Sequence, residues 1–129
     1  MILIDTNIII DVTSTDAVLA QRAARAIKVA SRRAVGPIVY AELAPGFVDM
    51  PTLDAALLAM QVELSNFSRA GLFLAGEAFK AYRLRGGPRD KMLPDFLIGA
   101  QAVSEGCPLL TRDPARYRTA FPQLQLIEP

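Results

Sequence analysis

Short apolar runs alternate with longer segments of helical spacing along this chain, and this alternation constrains the fold more than any other feature. The apolar runs lie at residues 2–4, 34–39, 108–111 and 124–127. Runs that are apolar throughout suit strands covered on both faces, as in parallel sheets. Strands that alternate with helices imply a mostly parallel sheet with helices on both faces. The sequence therefore predicts an α/β fold.

The helical segments have recognisable boundaries. Segment 16–33 places apolar residues at helical spacing and basic residues on another face, which predicts an amphipathic helix. Further helices are predicted at 52–64, 70–85 and 94–106, with a brief strand at Phe67. Pro94 suits a first helical turn, and Gly106 suits a helix end. Residues 40–43 resemble a helix start that the following proline and glycine interrupt.

Composition fits one globular unit. The chain has 129 residues, 52% of them hydrophobic and 21% charged, and we expect a single domain over 1–129. A domain of this size can bury a core without a disulfide or structural metal. The one cysteine, Cys107, excludes an intramolecular disulfide and favours a reducing cytoplasm. No signal peptide or membrane span is recognisable, so we expect a soluble, cytoplasmic protein.

The available residue types restrict the chemistry. Histidine is absent, which excludes Ser-His-Asp and Cys-His nucleophile systems and histidine metal sites. The formal net charge is +1, so no global field draws the chain to nucleic acid, and any phosphate binding must be local. Polar chemistry must therefore come from carboxylates, amines, hydroxyls and bound ions.

Four acidic residues fall where an α/β sheet places its binding crevice. Asp5, Glu42 and Asp113 each follow a predicted strand, and Asp95 opens a predicted buried helix. In open α/β sheets the crevice lies outside the carboxyl ends of the strands. Carboxylates crowded there repel one another unless a cation neutralises them, and an all-oxygen site suits Mg²⁺ or Mn²⁺. The pattern predicts metal-assisted phosphoryl transfer or hydrolysis.

The residues around these acids resemble the signature of the PIN domain. The matching stretches are 3–7 (LIDTN), 41–43 (AEL), 94–100 (PDFLIGA) and 110–113 (LTRD). Each stretch is weak alone, but their order and spacing, together with the chain length, are most similar to those of the VapC toxins of bacterial toxin–antitoxin pairs. The resemblance covers essentially the whole chain and implies a three-layer α/β/α domain with a mostly parallel central sheet.

The resemblance also implies an activity and a site. It implies a metal-dependent endoribonuclease that hydrolyses RNA phosphodiester bonds with a metal-activated water. The implied ligands of Mg²⁺ or Mn²⁺ are Asp5, Glu42, Asp95 and Asp113. Thr6, Asn7 and Thr111 match supporting polar positions. A homodimer and a cognate antitoxin that blocks the cleft are the implied protein partners.

Basic residues near the acids are candidates for contacts with RNA phosphates. Arg89, Lys91 and Arg112 are the main candidates, with Arg85 and Arg116 beside them, and the alternative is that they are solvated loop charges. Asp11 lies near the first motif, and we expect it to be a charge on a helix surface.

The predicted helix at 52–64 carries apolar residues on more than one face. Leu58 and Val62 lie off the stripe formed by Leu53, Leu57, Met60 and Leu64. A second apolar face suggests contact with a partner helix or a second copy. The alternative is a helix packed deeply in its own domain.

Two other functions stay open at this point. A catalytically silent PIN-like module that binds RNA would be expected to lack one or more of the four acids. Another Mg²⁺-dependent nuclease or phosphatase would use the same strand ends. An aspartyl-nucleophile phosphatase usually has a second Asp two residues after the first, where this chain has Asn7.

Overall fold

The computed structural model describes residues 1–87 and 93–129. In these residues a parallel sheet has the strand order β3-β2-β1-β4-β5. The strands are β1 (Ile2–Ile4), β2 (Arg33–Val35), β3 (Val62–Leu64), β4 (Leu109–Leu110) and β5 (Leu126–Ile127). The predicted α/β fold with a parallel sheet is confirmed.

Helices fill the connections between the strands. They are α1 (Thr6–Val12), α2 (Ala17–Lys28), α3 (Pro37–Leu43), α4 (Met50–Ala59), α5 (Arg69–Leu84), α6 (Leu93–Glu105) and α7 (Ala115–Arg118), with a short 3₁₀ helix at Ala44–Gly46. Within the described part of the chain, no helix is long and apolar enough to cross a membrane.

The strand order reverses between β1 and β4. From β1 the chain moves outward to β2 and β3, then returns across the sheet to β4 and β5. Because parallel crossovers are right-handed, this reversal places α1–α4 on one face and α5–α7 on the other. α1 packs on α2 and α3, and α6 packs on α5 and α7, while α3 and α6 also contact each other. A crevice opens where neighbouring crossovers leave on opposite faces, at the carboxyl ends of β1 and β4.

The central strands end at the same level. The Asp5 amide donates to the Leu110 carbonyl at 2.9 Å, and the Thr111 amide donates to the Ile127 carbonyl at 2.9 Å. The first residues after β1 and β4, Asp5 and Thr111, therefore lie side by side at the crevice.

The boundary between the predicted strand and the following helix was wrong near Gly36. The predicted strand at 34–39 ends at Val35, and Pro37 begins helix α3. Proline has no amide hydrogen for a strand ladder, and its fixed φ suits a first helical turn. A Cβ at position 36 would lie 1.9 Å from the Gln101 Oε1 atom, so an alanine there would have to displace this buried side chain. Glu42 therefore sits in the last turn of a helix rather than directly after a strand.

The predicted helix at 52–64 was also wrong at its end. Helix α4 stops at Ala59, Gln61 adopts a left-handed φ of 56°, and Val62 opens β3. Val62 is only 6% exposed, so it belongs to the core and not to a second helix face. Leu58 is 77% exposed and remains a surface residue of α4. The strand expected at Phe67 is this β3 strand, a few residues earlier.

Candidate active site

Asp5 is the centre of the crevice at the end of β1. Its carboxylate is 2% exposed and caps helix α1 by accepting from the Thr6 amide at 2.8 Å. The other oxygen, Oδ2, accepts from the Thr111 hydroxyl at 2.8 Å and from the Tyr117 phenol at 2.8 Å. Three donors from three parts of the chain thus fix the orientation of this carboxylate.

Tyr117 is a site residue that the sequence pattern did not predict. It lies in α7 and is fully buried, and burial together with the Asp5 carboxylate raises the pKa of its phenol far above the ordinary value. The phenol therefore stays protonated and donates to Asp5. The one signal in the sequence is weak, namely a tyrosine placed four residues after Asp113.

The predicted supporting residues connect the loops around Asp5. Asn7 accepts from the Arg112 amide at 3.1 Å and donates to the Thr111 hydroxyl at 3.4 Å. The Asp113 amide donates to the same hydroxyl at 3.0 Å. Thr111 thus joins the start of α1, the Asp5 carboxylate and the loop that carries Asp113.

Glu42 is attached to the same region from another side. Its Oε1 atom accepts from the Thr6 hydroxyl at 2.9 Å. Thr6 therefore links the α3 carboxylate to the first turn of α1, directly beside the Asp5 cap. A cavity of about 480 Å³ adjoins Glu42, lined also by Ile9, Ile10 and Phe47.

Asp95 lies in the first turn of α6 and forms an ion pair with Arg116 of α7. The Arg116 Nε atom donates to Asp95 Oδ2 at 3.1 Å, and Nη2 donates to Oδ1, so the guanidinium takes both carboxylate oxygens. Asp113 lies 3.9 Å from the same Nε atom. From the sequence, Arg116 was only a secondary candidate for phosphate contact.

The electrostatics tie these acids into one cluster. Burial raises the pKa of Asp95, and the carboxylates of Asp5 and Asp113 raise it further, while Arg116 acts in the opposite direction. Three of the four predicted acids therefore share one local field, with Arg116 as their counter-cation. Glu42 joins them through Thr6 rather than through this arginine.

The acids of this cluster suit a divalent cation by their donor atoms but not by their spacing. The donors are carboxylate oxygens, which suit Mg²⁺ and Mn²⁺. Across residues 1–87 and 93–129, however, no three acidic, histidine or cysteine side chains are grouped closely enough to hold one ion. The guanidinium of Arg116 occupies both oxygens of Asp95 in this arrangement.

The predicted phosphate contacts have different outcomes. Arg112 forms a 2.8 Å ion pair with Asp11, although half of its side chain stays exposed. Asp11 was wrongly expected to be a surface charge, since it is buried on the face of α1 that carries Asn7 one turn earlier. Arg89 and Lys91 lie outside the described residues.

A second cavity of about 370 Å³ adjoins the Asp95 side of the cluster. It lies between the end of α5, the start of α6 and α7. Its lining includes two arginines and two aromatic rings, at Arg85, Arg116, Tyr82 and Phe96. The acid cluster is therefore bordered by a space that combines positive charge with aromatic surface.

Comparison with known proteins identifies the family. The PIN domain model matches residues 2–122, which include every acid of the cluster. The chain belongs to the PIN domain family. No curated protein sequence matches this PIN domain.

Solved structures with the same fold include proteins of toxin–antitoxin systems. VapBC2 from Rickettsia felis, bound to a promoter DNA fragment, has a TM-score of 0.72 at 23% identity, covering 99% of this chain and 98% of that one. A toxin–antitoxin complex from Klebsiella pneumoniae has a TM-score of 0.71 at 22% identity, covering 98% and 96%. VapC20 from Mycobacterium tuberculosis, described as a sarcin-ricin loop cleaving toxin, has a TM-score of 0.56 at 16% identity, covering 83% and 85%. These likenesses show that this PIN domain shares their fold.

Proposed function

We propose that this PIN domain is an RNA-cleaving toxin of the VapC type, a divalent-metal-dependent endoribonuclease acting in the cytoplasm. The observation that carries the proposal is the Asp5 carboxylate, fixed by three donors where the strand order reverses, with Asp95 and Asp113 in its field. The fold shared with toxin–antitoxin proteins supports it, as does the description of VapC20 as a sarcin-ricin loop cleaving toxin.

The residues that would hold Mg²⁺ or Mn²⁺ are Asp5, Glu42, Asp95 and Asp113. A bound divalent ion supplies positive charge to the scissile phosphate and makes the attacking water more acidic. The chain's own residues position the ligands. Thr111 and Tyr117 hold one oxygen of Asp5, and the Thr6 amide holds the other. Asp95 lies in the first turn of α6, where the helix dipole favours a negative charge.

The proposed partners are an antitoxin, a second copy of the chain and RNA. The fold neighbour from Klebsiella pneumoniae is described as a toxin–antitoxin complex, and VapBC-5 from Mycobacterium tuberculosis as a member of the VapBC family of toxin–antitoxin systems, which supports an antitoxin for this chain. Exposed apolar residues on α4 and α5 offer surface for protein contact, including Leu58, Phe73 and Leu84. RNA would reach the acids through the cavity beside Asp95, where Arg85 and Arg116 can bind phosphate.

A catalytically silent RNA-binding module is the second candidate. The observation that favours it is the Arg116 guanidinium on Asp95, together with the lack of a three-acid group in the part of the chain that the structure describes. Such a module would bind RNA through its arginines without cleaving it.

The deciding experiment is RNA cleavage by the purified chain in Mn²⁺ and in EDTA. We expect cleavage in Mn²⁺ alone, lost in Asp5→Asn and Asp95→Asn. Glu105→Gln is the matched control, because Glu105 is an exposed acid at the other end of α6. RNA binding without cleavage by the wild type would support the silent module, and hydrolysis of p-nitrophenyl phosphate without RNA cleavage would support a phosphatase.

A further inference from the structure

Arg116 holds a carboxylate that a divalent ion would need. The Asp95 side chain is 7% exposed, whereas the Arg116 side chain is 38% exposed. A buried carboxylate without a cationic partner is costly, so the guanidinium compensates for the burial of Asp95. Since Nε and Nη2 each donate to one of the two carboxylate oxygens, a cation that binds Asp95 has to compete with Arg116 for this carboxylate.

The surroundings of Arg116 allow such a movement. Its long side chain lies on the four-residue helix α7 and reaches Asp95 from the rim of the 370 Å³ cavity, which Arg116 itself lines. Asp113, at 3.9 Å, is a second acid near its guanidinium, and the Asp5 carboxylate also acts on it electrostatically. A divalent ion shared by these acids would neutralise much of their charge and weaken the hold of the acids on Arg116.

The residues that line the cavity suit one class of anion. Arg85 lines it with Arg116 and makes no ion pair with any other described residue, while the partly exposed ring of Tyr82 supplies aromatic surface for a base. Two guanidinium groups and an aromatic ring match a nucleotide phosphate with its attached base. The cavity is also continuous with the acid cluster through Arg116.

We propose that Arg116 exchanges Asp95 for an RNA phosphate when a divalent ion binds the carboxylates. The inference rests on the proposed ribonuclease function. In the metal-free chain Arg116 neutralises Asp95 and opposes metal binding. In the metal-loaded chain it binds the phosphodiester that lies against the cavity, so the same guanidinium restrains the free enzyme and positions the substrate.

The first measurement is binding of Mn²⁺ alone, followed by electron paramagnetic resonance on the full chain. Arg116→Gln should bind Mn²⁺ about tenfold more tightly than the wild type, because the ion no longer displaces a charged hydrogen-bond donor. Arg85→Gln is the matched control, since Arg85 lines the same cavity without touching Asp95, and its Mn²⁺ affinity should match that of the wild type.

The second measurement is binding of a short 2′-O-methylated oligonucleotide to the Mn²⁺-loaded chain at several salt concentrations, with gel electrophoresis after each titration to verify that the oligonucleotide is intact. Arg116→Gln should weaken binding and reduce the slope of log K against log salt by about 0.7, the value for one phosphate contact on a single strand. Arg116→Lys keeps the positive charge but loses the planar guanidinium with its paired donors. It should therefore keep the wild-type salt slope and bind Mn²⁺ with an affinity between those of the wild type and Arg116→Gln.

The two measurements move in opposite directions, which a merely structural role for Arg116 would not produce. Mn²⁺ binding by Arg116→Gln that is unchanged or weaker would overturn the exchange, as would an unchanged salt slope. If Arg116→Gln fails to fold by circular dichroism, Arg116→Lys decides, and wild-type Mn²⁺ affinity in that variant would refute the competition. Neither result depends on cleavage, so loss of activity in Asp5→Asn can still support the ribonuclease when the exchange fails.

Discussion

The Tyr117 phenol donates a 2.8 Å hydrogen bond to the Asp5 carboxylate, and both groups are buried. The bond joins the end of the central strand β1 to helix α7, near the other end of the chain. Arg116, the preceding residue, pairs with Asp95. One short helix therefore positions two acids of the cluster, and changes in α7 should affect stability and metal binding together.

The first prediction concerns the phenol. Tyr117→Phe keeps the ring in the core but removes a donor from a buried carboxylate, so it should lower the free energy of unfolding by about 1–3 kcal/mol. Urea denaturation measures the change. Tyr40→Phe is the matched control, because the Tyr40 phenol bonds the Asp54 carboxylate at the surface, and it should cost under about 1 kcal/mol. Equal losses in the two variants would contradict a special role for the Asp5 contact.

The second prediction concerns Asp5 and metal. Mn²⁺ should raise the melting temperature of the wild type by binding the folded chain, and the rise should shrink in Asp5→Asn. Without metal, Asp5→Asn should also melt below the wild type, because an Asn amide cannot accept from all three donors that face Asp5. Differential scanning fluorimetry tests both statements, and a wild-type melting curve that ignores millimolar Mn²⁺ would count against the proposed site.

The position of β1 and of the acid that follows it could be predicted from the sequence for local reasons. A run such as residues 2–4 is apolar throughout, which suits a strand buried in the middle of a sheet. Asp5 follows it directly and caps the next helix, so its place at the crevice follows from the strand itself. Helix α6 also matches its prediction closely, because proline and glycine bracket an almost wholly apolar segment.

The side chains that bind these acids could not be predicted from the sequence, because those pairs depend on tertiary contacts. Tyr117 meets Asp5, and Arg112 meets Asp11, only after β4 has paired with β1. Sequence spacing carries no information about such distant pairs. The short strand β3 was misread as a helix end because Val62 also fits the apolar spacing of the preceding helix, and the left-handed turn at Gln61 has no glycine to mark it.

The third prediction concerns Gly36, which positions the helix that carries Glu42. Gly36→Ala would place a Cβ against the buried Gln101 side chain, which itself donates to the Ser65 hydroxyl. The overlap should destabilise the fold by about 1–3 kcal/mol. Gly46→Ala has open space around the new Cβ and serves as the control, with a change within about 0.5 kcal/mol. Adding Gln101→Ala should recover part of the loss in Gly36→Ala, and the absence of any recovery would show that the strain lies elsewhere.

The last prediction separates core from partner surface on α4. Leu57 is 4% exposed and Leu58 is 77% exposed, so adjacent leucines on one helix have opposite environments. Leu58→Asp should fold like the wild type by circular dichroism, because an exposed position tolerates a charge, whereas Leu57→Asp should fail to fold.

If α4 meets a second copy or an antitoxin, Leu58→Asp should also shift the chain towards the monomer in analytical ultracentrifugation or weaken antitoxin binding. Phe73→Asp provides the comparison, since Phe73 is an equally exposed apolar residue on α5 at the opposite face of the sheet. An effect of Leu58→Asp without one of Phe73→Asp would locate the contact on α4, and the reverse would locate it on α5. Assembly and antitoxin affinity unchanged in both variants would exclude these two apolar positions from the partner surface, because a buried apolar contact replaced by a carboxylate costs several kcal/mol of binding free energy.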